Sequence, residues 1–168
     1  MQKVSAIVCC DQNFLIGDGI KMPWHIPEDL KFFKKLTTDH VICMGRNTWD
    51  GLPKKPLPNR VNIVISRNKT YEVIEHPDVD FVCSPEAALM YANSYFPTKK
   101  IFIIGGATIY NEFYKRNCID EFIVTHLKKA YPAENPIYFP QEILSGKEFS
   151  TIVDNEKLSI LKYEMKIK

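Results

Sequence analysis

A chain of 168 residues falls in the size range of one domain, expected here to span 1–168, and is long enough to bury roughly 70% of the surface its unfolded form exposes. Its 45% apolar and 25% charged residues exclude a disordered chain, a collagen and a simple coiled coil. The net charge of +2, from 22 basic and 20 acidic residues, gives no electrostatic basis for a dedicated nucleic-acid binder.

Apolar runs of strand length recur at Val4–Cys10, Val41–Met44, Val61–Ile65, Val79–Val82, Ile101–Ile104 and Ile119–Leu127. They are rich in Val, Ile and Phe and mostly do not alternate, so they are expected to be buried on both faces. Helix signals fall between them. Pro27 opens one helix reaching about Thr38, and Thr48–Leu52 reads as a short turn of another. Ser84-Pro85-Glu86 caps a third helix ending near Tyr95, and Gly106–Arg116 reads as a fourth. Alternating strands and helices predict an α/β fold with a mostly parallel central sheet and helices on both faces. After Thr125 the pattern becomes a strand, a long Pro-bearing loop and two tail strands near Phe149–Val153 and Leu158–Ile167, expected as antiparallel edge strands.

No apolar run approaches the ~20 residues of a membrane span, and Met1-Gln2-Lys3 leads straight into a strand pattern, so a cytoplasmic protein without membrane partners is expected. Cys9, Cys10, Cys43, Cys83 and Cys118 form an odd set without a CxxC pair, and with four scattered His no metal-ligand spacing appears. Reduced thiols and no metal are the expectation.

Four stretches carry chemistry. With Asp29 at zero on a helical wheel of ~100° per residue, Phe33 falls near ~40°, Leu36 near about −20°, Phe32 near about −60° and Leu30 near ~100°. Glu28, Lys31, Lys34 and Lys35 occupy the other side. Asp29 therefore lies within the apolar face. A first-turn Asp favours the helix N-terminus, which accounts for an exposed carboxylate better than for a buried one. Turned into a core it costs several kcal/mol without a partner, so Asp29 is a candidate ligand anchor accepting hydrogen bonds from amino or ring N–H groups. Pro23-Trp24 and Pro27 would wall that site.

Two strand–glycine–helix junctions follow. Ile101–Ile104 runs into Gly105-Gly106 and the helix-starting Ala107-Thr108-Ile109-Tyr110, whereas Val41–Met44 runs into Gly45-Arg46-Asn47-Thr48. Glycines at such turns let a phosphate approach backbone N–H groups at the positive helix end, although packing alone also explains a glycine turn. Neither matches G-x-G-x-x-G, which disfavours an ordinary Rossmann dehydrogenase. Two such turns at strand C-terminal ends point to one dinucleotide spanning both. Ser66-Arg67 after Val61–Ile65 offers a hydroxyl and a bidentate fork to phosphate, if Arg67 is not simply solvated. Arg60, after the Pro-rich stretch 54–59, begins a buried strand, where an Arg needs an anionic partner; a substrate carboxylate would serve.

In this order the motifs resemble dihydrofolate reductase. Ile16-Gly17, Met22-Pro23-Trp24 and Pro27-Glu28-Asp29-Leu30 with Phe33 are similar to the family's mobile loop and pterin-side helix, and Met44-Gly45-Arg46-Asn47-Thr48-Trp49 to its M-G-R-x-T-[WF] signature. Leu57-Pro58-Asn59-Arg60, Ile65-Ser66-Arg67, Ile104-Gly105-Gly106 and Thr125-His126 complete the set. The similarity runs from about residue 3 to residue 127, and more loosely to the end.

The resemblance implies reduction of 7,8-dihydrofolate to tetrahydrofolate with NADPH, in support of one-carbon metabolism and thymidylate synthesis, by a monomer that also binds antifolate inhibitors. Asp29 would anchor the pterin with Thr125 behind it and help bring a proton to N5 through water near Met22 and Trp24. Ile7, Val8 and Cys9 would line the pterin site through backbone and side chain. Leu30, Phe33 and Leu52 would grip the aminobenzoyl ring, and Arg60 would hold the glutamate α-carboxylate. On the cofactor side, Gly105, Gly106, Ala107 and Thr108, continuing into Ile109 and Tyr110, would meet the pyrophosphate. Gly45, Arg46, Asn47 and Thr48 would lie on the other flank. Arg46, Ser66 and Arg67 would take the 2′-phosphate, and Ile16, Ile104 and Cys9 would border the nicotinamide. The sequence departs from common family patterns at Cys9, where a small Ala is usual, at Asn47 for His, at Thr108 for Arg, and at Glu134-Asn135-Pro136, where bacterial relatives often carry Gly-Asp. A pyrimidine reductase of riboflavin synthesis on the same fold, and a ligand carrier without turnover, are the competing readings; the Trp24/Asp29 pair and Arg60 favour folate.

Overall fold

A computed structural model describes residues 2–68 and 77–166. Ten strands, four α-helices and one 3-10 turn alternate along them. They are β1 (Val4–Cys10), β2 (Leu15–Asp18), α1 (Pro27–Thr37), β3 (Val41–Gly45), α2 (Arg46–Gly51), β4 (Val61–Ile65), β5 (Val79–Val82) and α3 (Pro85–Tyr95). Then follow β6 (Ile101–Ile103), α4 (Ala107–Lys115), β7 (Glu121–Leu127), β8 (Pro136–Tyr138), the 3-10 turn Gln141–Leu144, β9 (Phe149–Asp154) and β10 (Leu158–Glu164). Eight strands form one sheet in the order β5-β4-β3-β6-β1-β7-β10-β9. From β5 to β7 every pairing is parallel, and β10 then pairs antiparallel with both β7 and β9.

The expected class is what forms, for the expected reason. The runs of β1, β3, β4, β6 and β7 bury almost every residue, so each strand needs cover on both faces. One face packs Ala88 and Ala92 of α3 and Ile109, Tyr110 and Phe113 of α4 against Ala6, Val8, Cys43, Ile63, Ile103 and Val124. The other packs Trp49 of α2 and Phe32, Phe33 and Leu36 of α1 against Ile7, Ile42, Met44, Val64 and Ile123. Ser84 caps α3 as its sequence predicts, accepting a hydrogen bond from Ala87 N at 3.0 Å.

Several boundaries move. α2 begins at Arg46 rather than Thr48, because Gly45 in extended conformation serves as its N-cap. β6 stops at Ile103, and β7 starts at Glu121 because Asp120 first pairs with the head of β1, its carboxylate accepting Val4 N at 2.9 Å. The tail strands are antiparallel, but only β9 is an edge; β10 is enclosed between β7 and β9. The Ile167 end of the predicted tail strand lies outside the described residues. β2 and β8 pair as a two-stranded ribbon that hydropathy does not announce. They are too short and too rich in Gly, Asp and Pro to be legible before the chain brings them together.

Parallel strands place their C-terminal ends on one rim, where open α/β sheets take ligands. Along it the order β4, β3, β6, β1, β7 lays Ser66-Arg67, Gly45, Gly105-Gly106, Cys9 and Thr125 side by side.

Candidate active site

The substrate half of the site starts from the register of β1 and β7, which pairs Ile7 with Ile123, Val8 with Val124 and Cys9 with Thr125. Side chains alternate along a strand, so Ile7 and Cys9 turn toward α1 while Val8 turns to the opposite face. Ile7 packs with the α1-side cluster and Val8 with the α3/α4-side cluster. Of Val8, the backbone alone can reach the α1 side. This corrects the expectation of a side-chain contact there.

Over Cys9 and Thr125 sits Asp29, in the first turn of α1. The Thr125 hydroxyl, itself buried, donates to Asp29 Oδ1 at 2.6 Å. Burial pushes the Asp29 carboxyl above the ordinary carboxylate range; the Thr125 and Cys9 donors pull against that rise and the Glu28 charge adds to it. Trp24 packs against Tyr131 in a tilted arrangement with ring centroids 5.2 Å apart, and its Nε1 is buried without a hydrogen-bond partner among the described residues. An indole N–H so placed needs a partner that a water or ligand can supply. Met22 is 53% exposed, and Ile20 and Leu30 are exposed as well.

Phe33 and Leu52 are half-buried and pack against the α1-side cluster. Arg60 is 6% exposed. Its Nε donates to Pro58 O at 2.9 Å, its guanidinium donates to Thr37 Oγ1 at 3.1 Å, and its planar group lies 5.8 Å from the Phe33 ring centroid. No carboxylate among the described residues forms an ion pair with it. Burial lowers its proton affinity. A buried guanidinium joined only to neutral acceptors retains donors and charge for an anion.

The cofactor half lies along β4, β3 and β6. Gly45 N donates to Gly105 O at 2.8 Å, so the two glycine turns are joined. A Cβ on Gly45 would stand 2.8 Å from Ile109 Cγ1, one on Gly105 3.2 Å from the Tyr110 hydroxyl, and one on Gly106 3.7 Å from Thr48 Oγ1. Gly105 also has φ +122°, which side chains with a Cβ rarely adopt. The peptide between Gly105 and Gly106 is cis. α4 begins right after Gly106 with no side chain capping its first turn, and its N–H groups face the rim. Bare backbone, an uncapped helix start, and Thr48 opposite fit a pyrophosphate.

Ile109 and Tyr110 stand behind the cradle rather than in it. Both are buried, and the Tyr110 hydroxyl donates to Ile7 O at 2.6 Å. Thr108 and Asn47 are exposed at the rim, Ala107 and Ile104 are half-buried, and Ile16 packs at the margin of the α3/α4-side core. Arg46 pairs with Asp50 one helical turn on, at 3.0 Å. Ser66 is buried, and Arg67, with its side chain 81% exposed, pairs with Glu112 at 2.8 Å.

Residues outside the predicted set tie down the segment around Asp18. Asp18 accepts from Asn135 N at 2.8 Å and from Glu134 N at 3.4 Å, while Gly19 N donates to Asn135 O at 2.9 Å. The acidic partner missing at Glu134-Asn135 is thus supplied from the loop side. Buried Asp11 accepts Asn13 N, Leu15 N and Tyr131 N, fastening the root of the loop to the chain after β7. Tyr131 then supports Trp24. Only the local bonds from Asp11 to Asn13 and Leu15 hint at a turn in advance; the contacts to Tyr131, Glu134 and Asn135, and that of Trp24 with Tyr131, span more than a hundred residues.

Comparisons with known proteins agree with this geometry. The dihydrofolate reductase family profile matches residues 3–166. The dihydrofolate reductase of Neisseria meningitidis serogroup A is 45% identical over 112 residues, 67% of this chain and 65% of that protein, so the match spans just under two thirds of the relative's length. That of Buchnera aphidicola from Baizongia pistaciae is 37% identical over 158 residues, covering 92% of this chain and 89% of the relative. Among solved structures, dihydrofolate reductase from Enterococcus faecalis complexed with NADP(H) and RAB-propyl superposes with a TM-score of 0.76 at 28% identity, over 96% of this chain and 95% of that one. With the profile covering nearly all of the chain and the paired glycine turns and Asp29 on the rim where the motifs predict them, the chain belongs to the dihydrofolate reductase family.

Proposed function

We propose that this protein reduces 7,8-dihydrofolate to 5,6,7,8-tetrahydrofolate at the expense of NADPH. The observation that carries the reading is a carboxylate turned into an apolar face, held by Thr125 beside a backbone cradle on the same sheet rim. The dinucleotide, when bound, supplies the hydride delivered to C6 of the pterin. Gly45, Gly105, Gly106, Ala107, Thr108 and Thr48 bind its pyrophosphate, with Asn47 flanking. Arg46, Ser66 and Arg67 take the 2′-phosphate, and Ile16 and Ile104 border the nicotinamide. Asp29 accepts hydrogen bonds from the pterin amino group and ring N–H. Its raised proton affinity suits a group that holds or relays a proton toward N5. The unpartnered Trp24 N–H can fix the relaying water under the Met22 loop. Ile7, Cys9 and the Val8 backbone line the pterin; Leu30, Phe33 and Leu52 line the aminobenzoyl ring; Arg60 holds the carboxylate of the tail. Antifolates would compete for the same surface. A monomer acting in the cytoplasm in one-carbon metabolism belongs to the same proposal.

The test is NADPH absorbance decay with dihydrofolate, run with Asp29→Asn and with NADH. Decay that drops by two to four orders of magnitude in the variant at pH 7, with partial recovery at low pH, supports the reading. Binding of both ligands without decay would make the protein a carrier, and no binding of dihydrofolate would make the pyrimidine reductase the next substrate class to test.

A further inference from the structure

We infer that Asp11 and Tyr131 are positioning residues for the Trp24 indole: one carboxylate oxygen of Asp11 fixes the Tyr131 backbone, and the Tyr131 ring fixes the indole. The inference deepens the proposed reduction and rests on Trp24 as the holder of the relaying water. Asp11 directly follows β1 and is 2% exposed. Its two oxygens are divided between near and distant partners. Oδ1 accepts Asn13 N at 2.8 Å and Leu15 N at 2.9 Å, as a side chain closing its own turn does. Oδ2 accepts Tyr131 N at 3.0 Å, 120 residues further along the chain. Gln12 N donates to Lys129 O at 3.2 Å, so the two segments are clasped at two points.

The turn itself does not need Oδ2. Its backbone already closes through Asp11 N to Leu15 O and Phe14 N to Asp11 O, both at 3.0 Å, with Oδ1 added to these. The reason for the distant bond therefore lies with Tyr131. Pro132 confines the Tyr131 backbone to extended conformations, so a Tyr131 whose N–H is also held has little freedom left. Its ring meets Trp24 with centroids 5.2 Å apart at an interplanar angle of 59°, and both side chains pack against the α1-side core. Lys129 Nζ lies 5.2 Å from the same Tyr131 ring centroid. No protein hydrogen bond among the described residues orients the buried Trp24 Nε1, so the direction of that N–H rests on ring packing. Asp11→Asn separates the two roles of the side chain. Its amide oxygen can keep Asn13 N and Leu15 N, but its amide nitrogen then faces Tyr131 N, donor against donor.

The experiment compares the full-length wild type with Asp11→Asn, Tyr131→Leu, Tyr131→Phe and the double variant Asp11→Asn/Tyr131→Leu. It reads the indole nitrogen-15 NMR resonances without ligands, kcat and KM for NADPH-dependent dihydrofolate reduction, and Tm. Trp49, 3% exposed in the core, is the internal control for Trp24. Asp11→Asn and Tyr131→Leu should each move the Trp24 resonance and leave that of Trp49 in place. Each should lower kcat about two- to tenfold, the ratio that one hydrogen bond or one aromatic pair sets, with KM for NADPH changed less than about twofold. Tyr131→Phe, which keeps the ring, should lose less than Tyr131→Leu. Because Asp11 acts through Tyr131, the asparagine should cost nothing more once the ring is gone, and the double variant should match Tyr131→Leu. An unmoved Trp24 resonance in Asp11→Asn overturns the inference, as do losses that simply add in the double variant. Should Asp11→Asn fail to fold, the tyrosine variants decide: an unmoved Trp24 resonance in Tyr131→Leu, or equal losses in Tyr131→Phe, overturns it. The NMR readout needs no turnover. Absent reduction in the wild type overturns the proposed function and leaves the resonances to test Asp11, whereas a displaced indole with unchanged kcat overturns the positioning role alone.

Discussion

Asp29 concentrates the conflict between stability and chemistry in one side chain. Burial raises its proton affinity, so the folded protein binds that proton more tightly than the unfolded chain does. The stability this contributes is complete below the ordinary carboxylate pKa of about 4 and is lost as pH rises through the raised value. At neutral pH the stabilisation tied to that proton is therefore diminished. Asp29→Asn should have a higher Tm than wild type at pH 7, with the gap closing as pH falls below about 4. Calorimetry across that range checks it, alongside the loss of turnover. Arg67 poses a smaller question. Its exposed pair with Glu112 is worth at most about 1 kcal/mol, too little to hold the side chain from a phosphate. Arg67→Ala should raise KM for NADPH well beyond its effect on NADH, and equal losses for both would remove the 2′-phosphate role.

Single elements carry two further expectations. β3 and α4 meet at Gly45, where a Cβ would stand 2.8 Å from Ile109 Cγ1. Gly45→Ala must push α4 from the sheet or twist a buried isoleucine, at a cost of about 1–3 kcal/mol visible in urea unfolding. It should also weaken dinucleotide binding, because the same shift opens the Gly45–Gly105 hydrogen bond. The β2–β8 ribbon is tied to the loop after β7 by Asp18. Asp18→Ala strips the acceptor from two backbone N–H groups and should weaken NADPH retention and kcat together, with Asp18→Asn recovering part of both. Stopped-flow cofactor release measures it; unchanged release would mean that the Gly19–Asn135 bond alone suffices.

At the scale of the molecule, the proposed ligand-binding residues on β4, β3, β6, β1 and β7 are linked because they share one rim and one pair of cores. A cofactor bound only by the native state stabilises all of it. NADPH at a hundred times its Kd should add about 2.7 kcal/mol, which is roughly 5–10 °C in Tm for a chain of this size. NADH at the same concentration should add less, and thermal shift measures both. Sedimentation checks the proposed monomer. Among the described residues no helix is long and apolar enough to cross a membrane.

The sheet was legible in the chain because buried strands must be continuous Val, Ile and Phe runs, and Asp29 was legible because a carboxylate on an apolar helical face contradicts its surroundings. The glycine turns were legible because backbone packed this closely against its neighbours cannot carry a Cβ. By contrast, the enclosure of β10, the turning of Val8 to the far face, the retreat of Ile109 and Tyr110 behind the cradle and the Asp18 tether depend on pairings distant in sequence. Whether Arg60 found a protein carboxylate, and whether Cys9 stood beside Thr125, were likewise questions of register. Local composition determines which residues seek burial, backbone exposure or charge. Only the closing of β1 between β6 and β7, with α1 laid across them, decides which of those residues meet.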